Sequence, residues 1–169
     1  FEHNLEDWRN WAIDNKIHPL VLGFLGTRGE LLFKMSSSKR AFPTPRSWEI
    51  MSDQLHIFDN FNQIEELMMG TIGEAATIEF MTYCKGSLSE KQILKIIEDP
   101  DKAKLPEKLS DIYALISYLI SRNENKEVRA AGAKLLNRLS PEMAVLLLRD
   151  FQRANPKFAM EPSYQKFVM

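Results

Sequence analysis

The sequence predicts an all-α fold, and three observations carry that expectation. Apolar residues recur three, four and seven positions apart along most of the chain. Asn, Ser or Thr stands before several of these runs, and proline opens others, as helix starts require. Few stretches alternate apolar and polar residues as a half-buried strand would, so a sheet is not expected.

Asn4 caps the first expected helix, with Asp7 at its third position and Leu5, Trp8 and Ala12 on one face. His18-Pro19 opens a second, short helix with Leu20, Phe24 and Leu25 apolar, and Gly26-Thr27-Arg28-Gly29 is expected to break it. Glu30 to Met35 reads as a brief apolar turn and Ser36 to Arg40 as a polar loop. Thr44-Pro45 is a strong helix start, with threonine as the cap and proline as the first helical residue. From it Trp48, Met51, Leu55 and Phe58 fall along one face. Ile64, Leu67 and Met68 make a short helix expected to end near Gly70. Gly73 to Tyr83 follows, with Ala76, Phe80 and Tyr83 on one face and Gly86 as its close. Ser89 caps Gln92 to Ile97, which Asp99-Pro100 stops. Residues 98–108 are charged, carry Pro100 and Pro106, and read as a connection. Three longer helices are expected over Ser110–Ser121, Lys126–Leu139 and Pro141–Ala154, able to stack as helical hairpins. Asn155-Pro156 and Glu161-Pro162 break the tail. This divides the chain into a helical bundle over residues 1–100 and an additional C-terminal helical subdomain over 101–169.

Composition bounds the function. With 169 residues, 44% hydrophobic and 27% charged, the chain is globular in type and large enough to bury a core without staples. A net charge of −1 gives no global attraction to nucleic acid or to an anionic membrane. Cys84 is the one cysteine, so no intramolecular disulfide forms; this fits a reducing compartment, and a cytoplasmic location is expected. No apolar run approaches the roughly 20 residues of a membrane span. The longest, Ile112 to Ile120, is interrupted by Ser117. No signal peptide is recognised, and the first residue is Phe1, so the chain is expected to begin inside a longer polypeptide or to have been processed.

Phosphate-loop, dinucleotide-binding and H-E-x-x-H motifs are absent from the sequence. His3, His18 and His56 are scattered, and with one cysteine no metal site is expected. Glu65, Glu66, Glu74 and Glu79 read as solvated helix carboxylates, and Ser36, Ser37 and Ser38 as loop. Trp8, Trp11 and Trp48 read as core rather than as base-stacking platforms, and most of the methionines likewise as core. Lys126, Arg129, Lys134, Arg138, Arg149 and Arg153 outnumber Glu127, Glu142 and Asp150, a mild basic bias that reads as a solvated face before it reads as a nucleic-acid surface. Arg46 is sharper. A cation in a helix's first turn opposes the helix dipole, while free backbone N–H groups beside a guanidinium suit an anion. Lys39 and Arg40 lie just upstream. Alternatively, Arg46 is a surface arginine paired with Glu49, the only acid within helical pairing reach.

The stretches His18-Pro19-Leu20-Val21-Leu22, Glu30-Leu31-Leu32 and Ala41-Phe42-Pro43-Thr44-Pro45-Arg46-Ser47-Trp48-Glu49 carry a resemblance, continued by Gly73-Glu74-Ala75-Ala76 and Phe80. Over residues 5–105 the chain resembles the C-terminal helical region of MoxR-like AAA+ ATPases, and more loosely beyond. The resemblance implies an AAA+ lid-like helical bundle followed by additional packed helices. It also implies that Arg46 is the sensor-2 arginine, with a cofactor-binding and catalytic role at the terminal phosphates of ATP. ATP and Mg2+ would then belong to the parent protein, with the phosphate loop, magnesium site and arginine finger on an α/β core expected to precede Phe1. The segment alone is expected to be inactive. A homo-oligomeric ring, usually a hexamer, acting on a client protein in chaperone-like remodelling completes what the resemblance implies. The rival reading is a stand-alone α-helical interaction module, with a protein-binding groove between Ser110 and Ala154 and no nucleotide role for Arg46.

Overall fold

Local sequence chemistry sets the helix ends, and the ends set the layout. A computed structural model of the chain describes residues 4–58 and 63–169; His3 lies outside them. Among the described residues there are ten helices and no strand, so the chain is all-α as the sequence predicts. They are α1 (Leu5–Asp14), α2 (Pro19–Thr27), α3 (Pro45–Ile57), α4 (Glu65–Ile72), α5 (Glu74–Gly86), α6 (Glu90–Glu98), α7 (Leu109–Ser121), α8 (Lys126–Leu135), α9 (Pro141–Ala154) and α10 (Pro162–Val168).

Asn4 caps α1 by accepting from the Glu6 N–H at 2.8 Å. The other end closes as a Schellman turn: Lys16 is left-handed at φ 55°, and the Ile17 N–H returns to Ala12 O at 2.9 Å. His18 caps α2 through its ring, Nδ1 accepting from the Leu20 N–H at 3.3 Å ahead of Pro19. α2 ends at Thr27, inside the break expected over Gly26 to Gly29, after taking in Gly26 itself. The reason is tertiary. A Cβ on Gly26 would lie 2.3 Å from Tyr113 Cδ1, so this glycine admits the tyrosine ring of α7 against the α2 backbone. Packing on α7 outweighs the weak helix preference of glycine. α4 likewise passes Gly70 and ends at Ile72, while α8 stops at Leu135, four residues short of the expected Leu139. The tail is less broken than expected: a 3-10 turn over Pro156–Met160 leads into α10.

The longest helix contact is α2 laid along α7; α1 packs on α9, α4 on α5 and α3, and α10 on α8. The boundary expected near residue 100 falls in the α6–α7 connection, and one hydrophobic cluster runs across it, from Trp8 in α1 to Phe158 beyond α9. Its aromatic centre is Phe24, Trp48 and Phe80, with ring centroids 5.3–5.8 Å apart. Trp48 is fully buried, and its Nε1–H donates to Leu31 O at 2.7 Å, tying the 3-10 turn at Gly29–Leu31 to α3. A second aromatic group stacks Phe151 on Phe158 at 4.2 Å and seats the tail. Trp8 is core, as predicted, but Trp11 is 38% exposed, because it lies on the far side of α1 from the buried stripe of Trp8, Ala12 and Ile13.

Gly73 joins α4 to α5 at φ 84°, ψ 156°, a backbone that side-chain-bearing residues rarely adopt, and a Cβ there would meet Ala41 O at 2.6 Å. Gly73→Ala is expected to lower stability by about 1–3 kcal/mol, from strain of that order at a glycine-only conformation. The urea midpoint measures it; an unchanged midpoint would show that the loop at Ala41 yields freely.

Candidate functional site

The start of α3 is built by a reciprocal cap. Thr44 Oγ1 accepts from the Ser47 N–H at 3.0 Å, and Ser47 Oγ accepts from the Thr44 N–H at 2.8 Å. Pro45 has no N–H, and the Trp48 N–H returns to Thr44 O at 3.0 Å. That leaves the Arg46 N–H as the first-turn donor available to an outside acceptor. The sequence suggests several free donors here; the reciprocal bonds of Ser47 occupy the others. The Arg46 side chain is 76% exposed, and its Nη1 donates to Glu49 Oε2 at 2.6 Å. Arg46 is thus at a rigid helix start, on the surface, with one acid as its partner.

Beside this start is a cavity of about 320 Å³. Phe42 and Pro43 wall it on the α3 side, and Gly73, Glu74 and Ala76 at the beginning of α5. Lys34 and Lys39 line it. Of the two upstream cations noted in the sequence, Lys39 therefore faces this cavity, while Arg40 is exposed on the loop. Glu79 also lines it, paired with Arg28. Glu74 is exposed, as predicted, whereas Glu79 is only partly so because of that pairing.

The basic bias of α8 and α9 has an internal explanation. Arg149 pairs with Glu6 at 2.5 Å, Arg153 with Asp14, and Lys134 with Asp101 at 2.5 Å. Arg129 lies 3.5 Å from Glu161, and Arg138 donates to Pro100 O and Ala103 O at 2.6 and 2.8 Å. These cations hold helices and connections to one another, which removes most of the free positive charge a phosphate backbone would need. At the centre is a pair the sequence gives no sign of: Arg9 Nε donates to Asp150 Oδ2 at 2.7 Å, with side chains 6% and 0% exposed. With Glu6–Arg149 and Asp14–Arg153 it forms a ladder of three ion pairs between α1 and α9.

No three His, Cys, Asp or Glu side chains gather as a metal site among the described residues. His18 and His56 do meet, their ring centroids 5.0 Å apart. Burial, with His56 adding to it, pushes the His18 pKa down to about 4. His18 is then neutral in the folded chain over a range where the unfolded chain takes up a proton. Stability is full above about pH 6.5 and falls as pH drops toward 4, by about 3 kcal/mol at most. His18→Asn keeps a cap acceptor but does not titrate. Urea midpoints at pH 7.5 and pH 5 are expected to differ clearly less for His18→Asn than for the parent; equal differences would discard this account.

No family model, curated protein or solved structure matches the chain. No helix among the described residues is long and apolar enough to cross a membrane.

Proposed function

We propose that this chain is the helical lid region of a MoxR-like AAA+ ATPase and that Arg46 is its sensor-2 arginine. The observation that carries the reading is the placement of Arg46. Its guanidinium stands in solvent at a helix start fixed by the Thr44–Ser47 cap, restrained only by Glu49. An exposed pair of this spacing is worth about 0.2–0.5 kcal/mol, so a nucleotide phosphate displaces Glu49 at little cost. The free Arg46 N–H at the helix start adds to the attraction for an anion. The motif residues Phe42 to Trp48 support the assignment of that anion as the terminal phosphate of ATP.

In this reading ATP and Mg2+ sit on an α/β core carried by the parent protein, in the cytoplasm. Arg46 reaches across from the lid, binding the phosphates and offsetting charge during transfer. The helices beyond α6 extend the lid, the parent forms a homo-oligomeric ring, and nucleotide state moves the lid to remodel a client protein. Steady-state ATP turnover by the full-length protein and its Arg46→Ala variant is the test. Wild-type turnover in a folded Arg46→Ala protein, or no turnover in the parent at all, would sink it in favour of a stand-alone helical interaction module.

A further inference from the structure

The beginning of α2, the end of α5, the beginning of α6 and the second half of α7 enclose a cleft that the lid reading does not use. Its volume is about 510 Å³. That lies within the range of small-molecule sites, roughly 300–1,000 Å³. Leu20, Leu88, Ile93 and Ala114 give it an apolar lining, and Cys84, the only cysteine of the chain, opens onto it half-buried.

Charge on this cleft is uneven. Lys85 and Arg122 are its cations and Glu90 its only acid, giving a formal balance of two positive groups against one negative. Glu90 already accepts from the Tyr118 hydroxyl at 2.8 Å. Arg122, like Arg40 on its loop, differs from the other arginines described above. Arg9, Arg28, Arg46, Arg129, Arg149 and Arg153 are held by carboxylates and Arg138 by two carbonyls. Arg122 has no carboxylate partner among the described residues; its guanidinium lies 5.8 Å from the centre of the Tyr118 ring and hydrogen-bonds the side chain of that tyrosine. The other polar groups on the lining are neutral at physiological pH. Burial pushes the Cys84 thiol up to about 12 and His18 down to about 4. Neither competes for an anion, and neither repels an apolar body.

We infer that the cleft between α2, α5, α6 and α7 binds a small organic anion, an apolar body carrying one acidic group, with Arg122 as the charge partner and the Leu20–Ile93 side as the apolar bed. The reading is independent of Arg46 and of any nucleotide.

The test uses the folded 169-residue chain with 8-anilinonaphthalene-1-sulfonate as the anionic probe and N-phenyl-1-naphthylamine as its neutral counterpart. Fluorescence titration is expected to show one saturable site per chain for the sulfonate, at least fivefold tighter than for the neutral dye. Arg122→Gln, at an exposed position, is expected to leave the thermal melt unchanged, to weaken the sulfonate about tenfold and the neutral dye little. Location is read separately from Cys84: alkylation by N-ethylmaleimide at pH 9, followed by mass, is expected to slow severalfold when the sulfonate is saturating. Equal affinity for the two dyes, or no change in Arg122→Gln, overturns the charge assignment. Unprotected Cys84 under saturating dye places the dye elsewhere and overturns the site.

Discussion

Asp150→Ala is expected to lower the stability of the chain by about 3–5 kcal/mol, the usual consequence of stranding a buried charge. Asp150 is fully buried and is the carboxylate to which the Arg9 Nε donates. The Arg9 Nη1 donates to Leu22 O at 3.1 Å, but Nη2 has no hydrogen-bond partner among the described residues. Without Asp150 the guanidinium keeps its charge inside the protein with one carbonyl for company. For a domain of this size the loss corresponds to a fall in melting temperature of about 10 °C or more. The double replacement Arg9→Met with Asp150→Leu is expected to recover most of it, because apolar residues of similar volume carry no desolvation penalty. Thermal melts of Arg9→Met, Asp150→Leu and the double variant give the coupling directly. Single variants whose effects merely add would show that Arg9 finds water when Asp150 is removed.

The second large effect is the one the proposed lid function predicts. In the full-length protein, Arg46→Ala is expected to reduce ATP turnover by one or more powers of ten; an arginine acting on a transferring phosphate is worth up to about 10³–10⁵. The fold is expected to survive, because the side chain is 76% exposed and bonded only to Glu49. Arg46→Lys is expected to rescue poorly, since a point charge does not reproduce the planar fork. Glu49→Gln separates the surface pair from the phosphate role: it releases Arg46 without removing it and is expected to leave turnover within a few-fold of the parent. Circular dichroism beside the hydrolysis assay makes the readings comparable. If Arg46→Ala and Glu49→Gln fell equally, Arg46 would be acting through its surface pair and not on nucleotide.

The helical class was legible because it is written in short-range terms. Asn4, Thr44-Pro45 and Ser89 act within three residues of themselves, and each caps the helix expected of it. Glu49, the only acid in reach of Arg46, is the partner it takes. What escaped depends on distant residues. The break over Gly26 to Gly29 was legible, but the place of Gly26 itself inside α2 depends on Tyr113, far along the chain, which packs over it. Arg9 and Asp150 look like ordinary surface charges, and nothing local marks them as partners. The basic residues of α8 and α9 read as a solvated face for the same reason: Glu6, Asp14, Asp101 and Glu161 belong to other elements. The Arg122 cleft also escaped, since its walls come from four helices that only the tertiary fold brings together.

The ladder between α1 and α9 also sets an order of events during synthesis. Arg9 and Asp150 are 141 residues apart. At about 5–20 residues per second, translation separates their appearance by roughly 7–30 s. Through that interval the stripe of Trp8, Ala12 and Ile13 has no α9 to cover it. A nascent chain that has not yet reached Asp150 therefore presents α1 with its apolar stripe uncovered. That helix is where a ribosome-bound chaperone is expected to hold it until α9 arrives.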